Sequence, residues 1–283
     1  GIYWAGSSAP TISNNTISDN TGAGIYGDSG SVPQILSNAI LRNGGAAINI
    51  HPLSVSDFSG NTAEDNGENV VHIRGGTISA NRTWPKSDTL LPLIVTGDVT
   101  VHYSSYNSAS STLTIESGVE VRFEPGTGLY VGYYYSNYYR HYYGALFAQG
   151  TAEEPIVFTS NAATPAAGDW KGIYFRDETI DAETVLDHAI VEFAGHTNNA
   201  GLFVESSSPT IVNSTVRFSS GNGVHLNNAS PSISNCNIEQ GQGHGLYWAG
   251  SSAPAISNNT ISDNTGAGIY GDSGSVPQIL SNA

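Results

Sequence analysis

Short apolar runs recur along this chain at a nearly fixed interval. Gly1-Ile2-Tyr3-Trp4 returns as Gly24-Ile25-Tyr26-Gly27, Ala47-Ile48-Asn49-Ile50 and Val70-Val71-His72-Ile73, each start 23 residues after the last. Gly201-Leu202-Phe203-Val204, Gly223-Val224-His225-Leu226, Gly245-Leu246-Tyr247-Trp248 and Gly268-Ile269-Tyr270-Gly271 repeat it at spacings of 22, 22 and 23. Between these runs, Ile12, Ile35, Phe58, Ile211, Ile233, Ile256 and Ile279 make one apolar column. Ile17, Ile40, Ala63, Val216, Ile238 and Ile261 make another. Runs this short, bounded by Gly, Asn, Ser and Pro, predict strands rather than helices. The fixed period predicts a solenoid: all-β, a parallel β-helix with rungs of about 22–23 residues.

A polar column sits between the two apolar ones: Asn15, Asn38 and Asn61, then Ser214, Cys236, Asn259 and Asn282. Asn side chains stacked at the ~4.8 Å strand spacing pass amide hydrogen bonds from rung to rung, which predicts a structural ladder. Cys236 replaces a ladder member and is expected to be a buried, inert thiol. Strand alternation sends Ile2 and Trp4 to one face and Tyr3 to the other. The outward column then reads Tyr3, Tyr26, Asn49, His72 in the first block and Tyr174, Phe203, His225, Tyr247, Tyr270 in the second. Such a stripe either stiffens the sheet or contacts polysaccharide or a neighbouring chain.

A longer period overlies the short one. Residues 245–283 repeat residues 1–39 at 37 of 39 positions, with Leu246 for Ile2 and Ala255 for Thr11, at an offset of 244. The chain is therefore expected to be a window on tandem units of 244 residues, opening and closing in mid-pattern. Residues 1–84 end one unit and residues 85–283 form the next, in one continuous solenoid. At 22–23 residues per rung a unit holds about ten or eleven rungs and rises roughly 50 Å.

The middle of the chain has a different texture. Leu113–Phe123 (LTIESGVEVRF), Gly144–Ser160 (GALFAQGTAEEPIVFTS) and Gly168–Phe175 (GDWKGIYF) resemble the opening of right-handed parallel β-helix repeat proteins. These belong to the pectate-lyase-like superfamily and are common on microbial surfaces. The resemblance covers nearly the whole chain. It implies a right-handed coil and leaves the activity open, because this fold hosts many. Residues 130–143 depart from the pattern with a Tyr-rich insertion carrying eight tyrosines. Of these, Tyr133, Tyr134, Tyr135, Tyr138, Tyr139, Tyr142 and Tyr143 are candidate partner or glycan contacts, since tyrosine offers a large rigid face and a polar tip. A hairpin that merely covers one side of the coil is the plain alternative.

Charge narrows the function. The formal net charge is −15, and nine Lys and Arg residues form no basic stripe, so nucleic acid is not an expected partner. No apolar run is long enough to span a membrane, so this segment is not expected to insert. One cysteine excludes an internal disulfide framework. The acidic run Asp177, Glu178, Asp181, Glu183, Asp187 and Glu192 falls in an enlarged rung. A solvated loop is the plain reading. No cofactor is expected, though calcium held by Asp177, Asp181 and Asp187 is an option.

Catalysis on this fold needs converging carboxylates and a cation. The resemblance implies, for a lyase, calcium held by acids plus an Arg or Lys. Gly243-His244-Gly245 resembles a short polygalacturonase motif, but that family's paired acids and its Arg-x-Lys are missing. No catalytic residue is therefore assigned. The leading expectation is a repeat unit of an extracellular fibre, appendage or adhesin stalk at the cell surface. Its partners are other copies of itself, head-to-tail or lateral, and surface polysaccharide. A carbohydrate-binding module, or a polysaccharide lyase or hydrolase, is the alternative. A cleft with three or more carboxylates and an Arg or Lys on neighbouring rungs would favour the enzyme.

Overall fold

The computed structural model describes every residue except 29, 89–90, 107–108, 198 and 273–274. The chain is a right-handed parallel β-helix. Most short strands pair in parallel with their counterparts one coil later, so backbone donors and acceptors are met along the axis. Three sheets carry most of the coil. Sheet I has eleven strands, from Ile2–Trp4 to Thr260–Ser262; sheet II has eight, from Gly76–Ile78 to Ile269–Gly271; sheet III has nine, from Arg82–Trp84 to Gln278–Leu280. In the first coils, the two positions after sheet I are held by smaller sheets: Thr11–Ser13 with Gln34–Leu36, and Thr16–Ser18 with Ala39–Leu41 and Thr62–Glu64.

Alternation along each strand puts one set of side chains inside. Ile25, Ile48, Val71, Leu93, Val121, Phe158, Val191, Val216 and Ile238 stack in register down sheet I, all buried. This register overturns the simple column pairing. Val216 and Ile238 do not continue the column of Ile17, Ile40 and Ala63, which lies on a small sheet of its own. They continue that of Ile25. The Ile2–Trp4 strand lies in sheet I, whereas its near-identical copy, Leu246–Ala249, lies in sheet II. The reason is that the step from one copy to the next is nine whole coils plus one face, which is not a whole number of coils.

The unit is also shorter than its residue count suggests. Ile2–Trp4 is the first strand of sheet I and Asn237–Glu239 the tenth, so nine coils and one further face separate the copies. At ~4.8 Å per coil the unit rises about 45 Å. The central coils spend residues on loops and on the Tyr-rich hairpin without adding rungs.

Trp and Gly alternate for a steric reason. Trp4 pairs in register with Gly27, and Trp248 with Gly271. A Cβ on Gly27 would lie 2.0 Å from the Trp4 ring, and one on Gly271 2.2 Å from the Trp248 ring. The indole N–H donates to Ser31 Oγ at 2.8 Å in the first copy and to Ser275 Oγ at 2.6 Å in the second. Gly27→Ala is therefore expected to cost about 1–3 kcal/mol. Adding Trp4→Ala should make the combined loss smaller than the sum of the single losses, as measured by urea melts. Strict additivity would refute the packing argument.

The Asn ladder is present. Asn15 Nδ2 donates to Asn38 Oδ1 at 3.1 Å, and Asn38 Nδ2 to Asn61 Oδ1 at 2.9 Å. Asn259 Nδ2 donates to Asn282 Oδ1 at 2.9 Å, and the Cys236 amide to Asn259 Oδ1 at 2.8 Å. A second ladder, Asn20–Asn43–Asn66, runs beside the first, with links of 2.7 and 2.8 Å. The Cys236 thiol is buried, and burial pushes its pKa up to about 11. A thiol reagent at neutral pH should label it only after unfolding; fast labelling of the native chain would contradict this burial.

Candidate functional site

The strand Leu129–Val131 of sheet II ends at Gly132, whose φ of 80° favours glycine. Space demands it too, because a Cβ there would sit 2.7 Å from the Glu178 backbone. The chain then leaves the coil as a hairpin. Tyr133–Tyr135 runs antiparallel to the start of Arg140–Gln149, with Tyr133 opposite Tyr142, Tyr134 opposite His141 and Tyr135 opposite Arg140. The rest of that long strand rejoins sheet III. The insertion therefore spans residues 133–142, since Tyr143 already pairs with Ser110 of sheet III. Tyr130 belongs to the regular coil, in register with Tyr174.

The two hairpin faces differ. Tyr133 and Tyr142 pack on His102, each 5.3 Å between ring centroids, and Tyr142 also meets Tyr106 at 6.3 Å. Arg140 lies over Tyr106 and Tyr138. On the other face, Tyr134 and Tyr143 flank His141. Tyr138 and Tyr139 at the tip are the most open, 62% and 79% exposed, while Tyr135 packs on Tyr138. Tyr134, Tyr138 and Tyr139 thus face solvent, while Tyr133, Tyr135, Tyr142 and Tyr143 are half-buried.

Where the second face meets sheet II, an open cleft of about 580 Å³ forms, lined by Tyr133, Tyr134, His141, Arg176, Asp177, Glu178, Glu205 and Ser206. Glu178 is buried and His141 Nδ1 lies 2.9 Å from its Oε1. The two groups clamp the hairpin to the coil. Arg176 lies against the Tyr130, Tyr133 and Tyr174 rings, 4.9, 5.8 and 5.3 Å from their centroids. The Tyr174 hydroxyl donates to the Glu205 carboxylate one coil on. Burial, then this carboxylate, push the Tyr174 phenol above its usual pKa, so it stays a donor.

The cleft therefore holds three carboxylates, a guanidinium and an imidazole beside aromatic faces, on neighbouring coils. That composition meets the sequence criterion for a polysaccharide-active site. Among the described residues, His141, Asp177 and Glu178 form the one set of three whose ligand atoms all come within 4.8 Å of one another. This donor set is not the one expected. Asp181 turns away to accept the Ser208 amide at 2.7 Å. Asp187 stands on sheet III, bonded to Gln149, Asn213 and His188. Asp177, Asp181 and Asp187 do not converge, because Asp177 follows the sheet II strand, Asp181 sits in the turn beyond it and Asp187 lies on the next face, sheet III. Glu192 leaves too, pairing with Arg217 on sheet I.

The stripe divides between faces. On sheet II, Tyr130, Tyr174, Phe203, His225, Tyr247 and Tyr270 follow in register, with successive ring centroids 4.6–5.9 Å apart. Burial lowers the His225 pKa and favours a neutral imidazole in the stack. Tyr3, Tyr26, Asn49 and His72 make a separate stripe on sheet I. His244, a turn residue whose Nδ1 accepts the Ala267 amide, stacks on Tyr270 at 4.7 Å and widens the stripe. Sequence reasoning missed Tyr130, His141, Arg176 and Glu205 as site residues. The usable signal was Tyr174-Phe175-Arg176-Asp177-Glu178, where a coil strand runs straight into charge.

The family described as right handed beta helix region matches residues 1–139 and 167–283. The unmatched stretch, residues 140–166, contains the whole of the strand returning from the hairpin. No curated protein and no solved structure matches the chain. The stacked parallel sheets and the family match agree: this chain belongs to the right-handed β-helix family.

Proposed function

We propose that this chain is a segment of an extracellular fibre, appendage or adhesin stalk at the cell surface, built from tandem β-helix units. One observation carries the reading: the second copy of the duplicated segment stacks onto the same coil with no break in sheet pairing. The proposed partners are further units, of this chain or of another copy docked head-to-tail. Electron microscopy of the native material tests the reading. Thin rods with an axial repeat near 45 Å are expected; isolated compact particles would refute it.

The cleft favours a second reading, in which each unit also binds or cleaves polysaccharide. Three carboxylates against one guanidinium disfavour polyanions, so neutral or amino sugars are the natural ligands without a metal. A divalent cation on His141, Asp177 and Glu178 would reverse that preference. A nitrogen donor among short-spaced oxygens suits zinc or manganese better than calcium. Uronate polymers should then bind only with a divalent ion present, as read by calorimetry with and without chelator. Equal uronate binding under both conditions would remove the metal from the account. Reducing ends or unsaturated sugars released from a polysaccharide panel would show turnover.

A further inference from the structure

The duplicated segment does not return to its own face. Its first copy puts Tyr3 and Tyr26 on sheet I, and its second puts Tyr247 and Tyr270 on sheet II. Sheet I is continuous from Ile2 to Ser262, so this is a change of face within one stack. The coil visits three faces per turn. A unit of nine coils plus one face therefore ends one third of a turn ahead of where it began.

We infer that tandem units of this protein form a three-faced screw, each unit turning its binding surfaces by about one third of a turn relative to the last. The inference rests on the tandem-unit reading above. Each unit carries one Tyr hairpin, one charged cleft and one sheet II aromatic stripe. Successive units point these at the three sides of the rod in turn. The fourth unit regains the orientation of the first after 28 coils, about 134 Å on.

The consequence is an interaction surface suited to one kind of partner. A rod with all its clefts in line would bind along one edge and pair sheet to sheet with a second rod. A rod whose clefts turn through three directions engages polymers from every side. No aromatic face runs on long enough to zip two rods together. The partner that fits is a surrounding polysaccharide mesh rather than a flat surface or a parallel neighbour.

The duplication supplies the test. Because residues 245–283 copy residues 1–39, placing Ile40–Ala283 after Ala283 extends the chain through its own junction. Repeating the step gives three hairpins on one rod for cryo-electron microscopy. Each hairpin is expected about 45 Å beyond the last and one third of a turn round. Hairpins at that spacing but all on one side would overturn the screw and leave the tandem reading standing. Units that fold as separate particles joined by slack chain would overturn both. A second readout uses the hairpins themselves. If the screw is right, mixing extended chains with a soluble neutral polysaccharide should cross-link them into a gel, while 1–283 alone should not.

Discussion

Replacing Trp170 with alanine is expected to destabilise the chain by about 3–5 kcal/mol. Trp170 is fully buried and stacks on Phe123, 4.1 Å between centroids and 11° from parallel. Its indole N–H donates to the Glu192 carbonyl at 2.8 Å. The residue thus ties three successive coils through one ring, and alanine removes both the packing and the donor. Trp170→Phe keeps a stacked ring and loses the hydrogen bond, so it should cost about 1 kcal/mol. In a solenoid each coil is held by its neighbours, so the damage should spread along the axis from residue 170. Hydrogen exchange should show the coils of Phe123 and Glu192 opening first. Equal urea midpoints for Trp170→Ala and Trp170→Phe would sink the argument.

The coil was legible because its causes are local. Gly, Pro and Asn mark each corner, and one buried Ile per strand marks each face. Those signals lie within a single 23-residue period such as Gly1 to Gly24. The phase of the stack was not legible. Val216 and Ile17 look equivalent in sequence, and only the count of coils between them shows that they occupy different sheets. That count depends on how many central residues loop out, which strand patterns do not reveal. The cleft was hidden for a related reason. His141 lies 37 residues before Glu178, and a hairpin must fold back before the two meet. The acids drew attention as a run, whereas the structure sorts them by face. Asp177 and Glu178 stay with the cleft, and Asp181, Asp187 and Glu192 go elsewhere.

Glu178→Gln is expected to weaken cleft binding of a neutral oligosaccharide roughly 10- to 100-fold, the size of one or two hydrogen bonds to a charged group. Glu178 is the one buried carboxylate lining the cleft, and it orients His141 from below. Glutamine keeps the shape and an acceptor but loses the charge that holds the imidazole N–H. Glu178→Ala removes both, and the hairpin should loosen as well, at a cost of roughly 1–3 kcal/mol. His141 is partly exposed, so water takes up part of that loss. Arg176→Gln probes the same cleft from its opposite charge without touching the clamp. Three measurements separate the roles: oligosaccharide affinity by calorimetry, melting temperature, and proteolysis near the tip residue Tyr139. If the cleft binds sugar, Glu178→Gln and Arg176→Gln both lose affinity while melting stays near that of the unaltered chain. If Glu178 serves only to pin the hairpin, Glu178→Ala is clipped at the tip and Arg176→Gln binds as before. That second pattern would reduce the cleft to a fastening and leave the aromatic stripe as the sole contact surface.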